Sequence, residues 1–105
     1  MGLKVTAKEG EKFNFLDLTG EEKQVNEIYV RLEFYCFPCG KKINGSLKTY
    51  YSKEAFKSGA NEIKTGISGA NFEGEIQGND KQSVETAEKI AQTALIESGY
   101  TTEIV

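Results

Sequence analysis

The stretch Ile28-Tyr29-Val30-Arg31-Leu32-Glu33-Phe34-Tyr35-Cys36 decides the fold of this 105-residue chain. Successive side chains of a strand point to opposite faces, so Ile28, Val30, Leu32, Phe34 and Cys36 make one apolar face. Tyr29, Arg31, Glu33, Tyr35 and, one residue on, Phe37 make the other. Three rings and one pair of opposite charges leave that second face too greasy to stand open to water. Cover by another element or by a partner is expected there.

Working outward, Leu3, Val5 and Ala7 alternate with Lys4, Thr6 and Lys8, which is again the period of a half-buried strand. Glu9-Gly10-Glu11 breaks that run and Phe13 to Leu18 resumes it, so residues 3–18 read as a hairpin. Thr19 to Gln24, with Gly20 and three charges, reads as a loop. Downstream of the central strand, Pro38-Cys39-Gly40 interrupts the pattern. Asn44-Gly45 suits a two-residue turn whose central positions both need positive φ. Ser46 to Ser52 then returns as a strand, with Leu47, Thr49 and Tyr51 on one side and Lys48 and Tyr50 on the other. Residues 28–52 thus form a second hairpin, rich in aromatics.

Ser52 can cap a short helical turn through Phe56. Five of the 11 glycines fall within residues 58–78, which read as a glycine-rich loop region with short strands at 62–64 and 72–77. Ser58-Gly59-Ala60-Asn61 and Ser68-Gly69-Ala70-Asn71 repeat ten residues apart, as two similar turns. Asp80 or Ser83 can open a helix whose apolar face is Val84, Ala87, Ala91, Ala94, Leu95 and Ser98, with Ile90 at its margin. Gly99 stands where that helix needs a left-handed residue to end. Tyr100 to Val105 is a final strand. The expected fold is α+β. A mainly antiparallel sheet of about five or six strands is built from hairpins, with one C-terminal helix packed on it followed by a final short strand, all within a single domain over 1–105.

The residues that are missing exclude chemistry. With no His there is no Ser-His-Asp triad, no Cys-His pair and no imidazole base near neutral pH, so a non-enzymatic protein is expected. Glu73 with Glu75 and Glu85 with Glu88 read as solvated charge rather than acid/base pairs. Gly66-Ile67-Ser68-Gly69 lacks the lysine and following helix of a phosphate loop. No apolar stretch approaches the roughly 20 residues of a membrane span, and Met1 to Lys12 carries charges where a signal peptide needs an apolar core. A cytoplasmic protein without membrane contact is expected.

In such a compartment thiols stay reduced, which leaves Cys36 and Cys39 free or metal-bound. Phe34-Tyr35-Cys36-Phe37-Pro38-Cys39-Gly40-Lys41-Lys42 resembles one knuckle of a zinc ribbon. The resemblance covers nine residues, and the second knuckle that a ribbon needs is absent. No cofactor is expected on this basis. A zinc ion bridging two copies through Cys36 and Cys39 and a redox pair stand as alternatives to two thiols packed in a hairpin.

Charge is unevenly placed. Residues 1–30 carry net −2, residues 31–57 carry net +4 and residues 58–105 carry net −5. With Tyr29 just before it, the basic middle brings together seven of the 11 aromatic residues. The expected function is therefore a small binding or assembly module acting through this hairpin, by self-association as a homo-oligomer or on a protein partner. Its contact residues are Tyr29, Arg31, Tyr35, Phe37, Lys48 and Tyr50. The alternative is a single-stranded nucleic-acid-binding module that stacks bases on Tyr35, Phe37 and Tyr50 and neutralises phosphates with Lys41, Lys42 and Lys48.

Overall fold

The structure, a computed structural model, describes residues 2–16, 19–36, 42–76 and 84–105, with the side chains of Cys36 and Val84 left aside. The described residues form a five-stranded antiparallel sheet, a separate two-stranded sheet and two helices. The main sheet runs in the order β6-β5-β4-β1-β7. Its strands are β1 (Leu3–Thr6), β4 (Glu27–Cys36), β5 (Lys42–Tyr50), β6 (Asn71–Glu75) and β7 (Thr101–Ile104). This is the expected α+β architecture, with the helix α2 (Val84–Glu97) followed by the short final strand β7.

The alternation in the central strand places the core. Leu3 and Val5 of β1 stand opposite Val30 and Ile28 of β4, and Leu47 of β5 stands opposite Leu32. Ala87, Ala91 and Leu95 of α2 are buried with them. Small residues let the helix approach closely, and at β6 Gly74 leaves room for Ile90. A methyl built there would come within 2.6 Å of Ile90 Cγ2. The helix ends as its sequence requires. Gly99 adopts φ +99, its N–H bonds the Ile96 carbonyl, and the Tyr100 N–H reaches back to Leu95 O at 3.0 Å. That pair of bonds is the Schellman motif, which satisfies carbonyls the last turn cannot pair.

Four local expectations give way to longer-range pairing. Residues 3–18 are not a hairpin: β1 lies between β4 and β7, and β2 (Phe13–Leu16) pairs instead with β3 (Glu22–Val25). Residues expected as loop therefore form most of a strand. β3 lacks an apolar alternation of its own and takes its register from β2, opposite Phe13 and Phe15. The latter two are buried, Phe13 stacking on Tyr100 and Phe15 meeting Tyr51 edge-on.

Asn44-Gly45 is not a turn. Both residues lie inside β5, and Gly45 is flanked by Phe34 of β4 and Phe72 of β6. A methyl on Gly45 would sit 2.8 Å from Phe34 Cβ and from the Phe72 ring, and closer still to the Glu33 carbonyl. The glycine is there for close approach, not for positive φ. Residues 62–64 do not form a strand either, although Ile63 N–H bonds Thr49 O and the Thr49 hydroxyl donates to Ile63 O at 2.6 Å. The repeated Ser-Gly turns do match each other, with Gly59 at φ +84 and Gly69 at φ +75.

Glu88 overturns the fourth expectation. It shares the i, i+3, i+7 face with Ala91 and Leu95, is 1% exposed, and neither carboxylate oxygen has a hydrogen-bond partner. Burial pushes its pKa up, while the Arg31 guanidinium pulls it back. Asp80 and Ser83, the expected helix caps, lie outside the described residues.

Candidate functional site

The outer face of the β4–β5 hairpin, opposite the core, divides into a closed half and an open half. Tyr29 and Tyr50 face each other across the two strands. The helix α1 (Lys53–Lys57) closes over them: Ser52 caps it by accepting from the Ala55 N–H at 3.0 Å, and Phe56 is carried onto both rings. Ring centroids lie 5.6 Å from Phe56 to Tyr29 and 4.8 Å from Phe56 to Tyr50. The Arg31 guanidinium sits 4.8 Å above the Phe56 ring and donates to the Tyr29 hydroxyl. Tyr29, expected as a contact residue, is thus 3% exposed, and its ring lies over Gly2, where any side chain would collide with it. The cover that the greasy second face demands is supplied by the chain itself at this end.

Toward the other end the face stays open. Glu33 and Tyr35 of β4, Asn44 and Ser46 of β5, and Asn71 and Glu73 of β6 line a trough of about 650 Å³. Register brings these six together, since Glu33 faces Ser46, Tyr35 faces Asn44, and Ser46 and Asn44 in turn face Asn71 and Glu73. Tyr35 is 60% exposed at the rim. The trough combines the exposed Tyr35 ring with amide and hydroxyl groups, and Phe34, Gly45 and Phe72 also line it.

Its electrostatics differ from the sequence count. Lys48 bonds Glu33 at 2.8 Å and approaches Glu62 at 3.5 Å, and Lys42 approaches Glu73 at 3.9 Å. The Glu33 carboxylate, through its hydrogen bond and its charge, holds the Lys48 ammonium above the usual lysine range. Acids from β4, from the flanking segment and from β6 therefore pair with Lys48 and Lys42 of the basic hairpin. That juxtaposition is invisible in local sequence because Glu62 and Glu73 lie well downstream of the lysines.

Of the expected contact residues, Tyr35 and Lys48 belong to the open half, and Tyr29, Arg31 and Tyr50 to the sealed half. Lys42 lies at the trough's border. Phe37, Lys41, Cys39 and the Cys36 side chain lie outside the described residues, so the possible zinc or redox pair has no geometry here. Among the described residues, no three His, Cys, Asp or Glu side chains converge as a metal site requires. No helix among them is long and apolar enough to cross a membrane.

A second surface was not foreseen from sequence. Phe15, Leu16, Tyr51 and Ile63 line a cleft of about 490 Å³ between the β2–β3 hairpin and residues 59–63. Leu16 is 68% exposed on its rim. The signal was the run Phe13-Asn14-Phe15-Leu16, whose alternation sends Leu16 away from the core. No family model, curated protein or solved structure matches this chain.

Proposed function

We propose that this protein is a non-enzymatic binding module that docks a protein partner through the trough of β4, β5 and β6, with Tyr35 as its anchor. The observation that carries the reading is the exposure of Tyr35, on a face where Tyr29 and Tyr50 are packed under Phe56 of α1. Tyrosine presents a large rigid surface at small entropic cost, and it is enriched where protein interfaces concentrate their energy. The walls are neutral overall, because each trough acid with a nearby lysine is paired, as Glu33 with Lys48 and Glu73 with Lys42. A partner with amide and hydroxyl groups around an apolar pocket for the ring fits this surface. A permanent subunit interface, which is typically more apolar, fits it less well.

The same ion pairs weigh against a phosphate backbone as the ligand. Lys42 and Lys48 would have to exchange bound carboxylates for phosphates, on a protein whose net charge of −3 repels nucleic acid at long range. The absence of any histidine supports a binding role over catalysis.

The test is capture from an extract of the source cells on immobilised wild type, Tyr35→Ala and Ser46→Arg, each with and without nuclease. The expected result is a nuclease-resistant protein retained by wild type and lost by both variants. Identical retention by all three proteins, or retention abolished by nuclease, would overturn the proposal.

A further inference from the structure

The open edge of the sheet at β7 has a hydrogen-bonding phase that can be read directly. Gly2 and Val105 exchange both backbone bonds, Val105 N–H to Gly2 O at 2.9 Å and Gly2 N–H to Val105 O at 3.3 Å. In an antiparallel ladder such pairs alternate with pairs that exchange none. Glu103 and Thr101, two and four residues before Val105, therefore also turn their backbone groups toward β1. Thr102 and Ile104 turn theirs outward, away from the sheet. Among the described residues no backbone group bonds to these outward donors and acceptors, and no strand flanks β7 on that side.

Natural edges are usually blunted by lysine, proline or a bulge. β7 has none of these: its sequence is Thr-Thr-Glu-Ile, and its register with β1 is unbroken. The single charge, Glu103, is bonded by Lys4 at 3.0 Å on the outer face. Ile104 is 41% exposed at the same edge.

We infer that β7 pairs with β7 of a second copy of this chain, antiparallel about a two-fold axis at Thr102, extending the sheet to ten strands. The edge is self-complementary in that register. The two Thr102 residues exchange both backbone bonds, and each Ile104 N–H meets the Tyr100 carbonyl of the other copy. The Tyr100 N–H is already spent on Leu95 O. Thr101 then stands opposite Glu103 of the other copy and no acid faces an acid. A register centred on Glu103, which the same phase also allows, opposes two carboxylates and is disfavoured. One short strand pair with Ile104 buries less than a permanent dimer needs, so the association is weak and rises with concentration. It lies across β1 from the hairpin, so variants of Tyr35 leave it unchanged, and its failure is separable from that of the trough.

The test is sedimentation equilibrium and native mass spectrometry over a range of concentrations, with circular dichroism confirming the fold of each variant. Wild type is expected to form a monomer–dimer equilibrium. Thr102→Pro removes an outward N–H that the monomer does not use, and it is expected to abolish the dimer. Thr101→Lys, facing Glu103 of the second copy, is expected to tighten the dimer several-fold, and Thr101→Glu to weaken it several-fold. A wild type that remains monomeric at millimolar concentration overturns the inference. So does a dimer indifferent to Thr102→Pro, or one that responds in the same direction to Thr101→Lys and Thr101→Glu.

Discussion

Replacing Glu88 by Met should stabilise this protein, and by an amount that depends on pH. Both carboxylate oxygens are buried without partners, and the side chain shares a stripe with Ala91 and Leu95. A buried polar group left unpaired costs about 1–3 kcal/mol even when uncharged. Methionine removes that cost and fills a similar volume with an adaptable apolar chain. The charge adds a second contribution. Because burial raises the Glu88 pKa above its ordinary 4.5, the folded chain keeps a proton that the unfolded chain releases. Wild-type stability from this group is therefore undiminished below about pH 4.5 and falls as pH rises through the raised value. The variant has no such group, so its advantage should be about 1–3 kcal/mol in acid and larger at neutral pH. In a domain of this size each kcal/mol corresponds to about 4–8 °C in Tm. Thermal and urea unfolding of both proteins between about pH 4 and pH 8 measures the difference directly. Glu88→Gln, which discards the charge but keeps a polar head, should fall between the two. A Met variant less stable than wild type at neutral pH, or a gap that does not change with pH, would refute the reasoning.

Two further predictions rest on packing. Gly45→Ala should destabilise by about 1–3 kcal/mol in urea unfolding, because its methyl has no room between Phe34, Phe72 and the Glu33 carbonyl. A neutral or stabilising result would place Gly45 elsewhere than between β4 and β6. Phe56→Ala should cost about 2 kcal/mol, less than the roughly 3–5 of a fully buried ring, since α1 is only half-buried. It should also expose Tyr29 and Tyr50 to solvent-perturbation absorbance, and unchanged tyrosine spectra would disprove the seal.

The parts legible in sequence were those where local pattern and tertiary context agree. The alternation from Ile28 to Phe34 and the three- and four-residue spacing from Ala87 to Leu95 each carry their own burial signal. Gly99 announces its helix end because left-handed backbone is cheap for glycine alone. Other features were set by residues far away. Glu22 to Val25 is a strand because Phe13 and Phe15 need a cover, and Gly45 is a strand residue because Phe72 needs its space. Glu88 has the spacing of the buried face, three and seven residues before Ala91 and Leu95, but its carboxylate reads as solvated until the packing around it is seen. For the candidate site, Tyr35 was visible as an outward ring, but the division of its face was not. That division depends on Phe56 folding back onto Tyr29 and on acids from beyond the hairpin reaching Lys42 and Lys48.

The position of β1 sets the order in which this protein can be completed. That strand carries Leu3 and Val5, both fully buried, yet one of its two neighbours is β7, made from residues 101–104. A nascent chain thus holds this early strand half-paired until residues 101–104 have emerged, and closing that ladder joins positions as distant in sequence as Leu3 and Ile104. Such non-local closure is slow compared with hairpin or helix formation. It makes the half-finished chain, with one side of β1 uncovered, the species most exposed to aggregation and most dependent on chaperone protection.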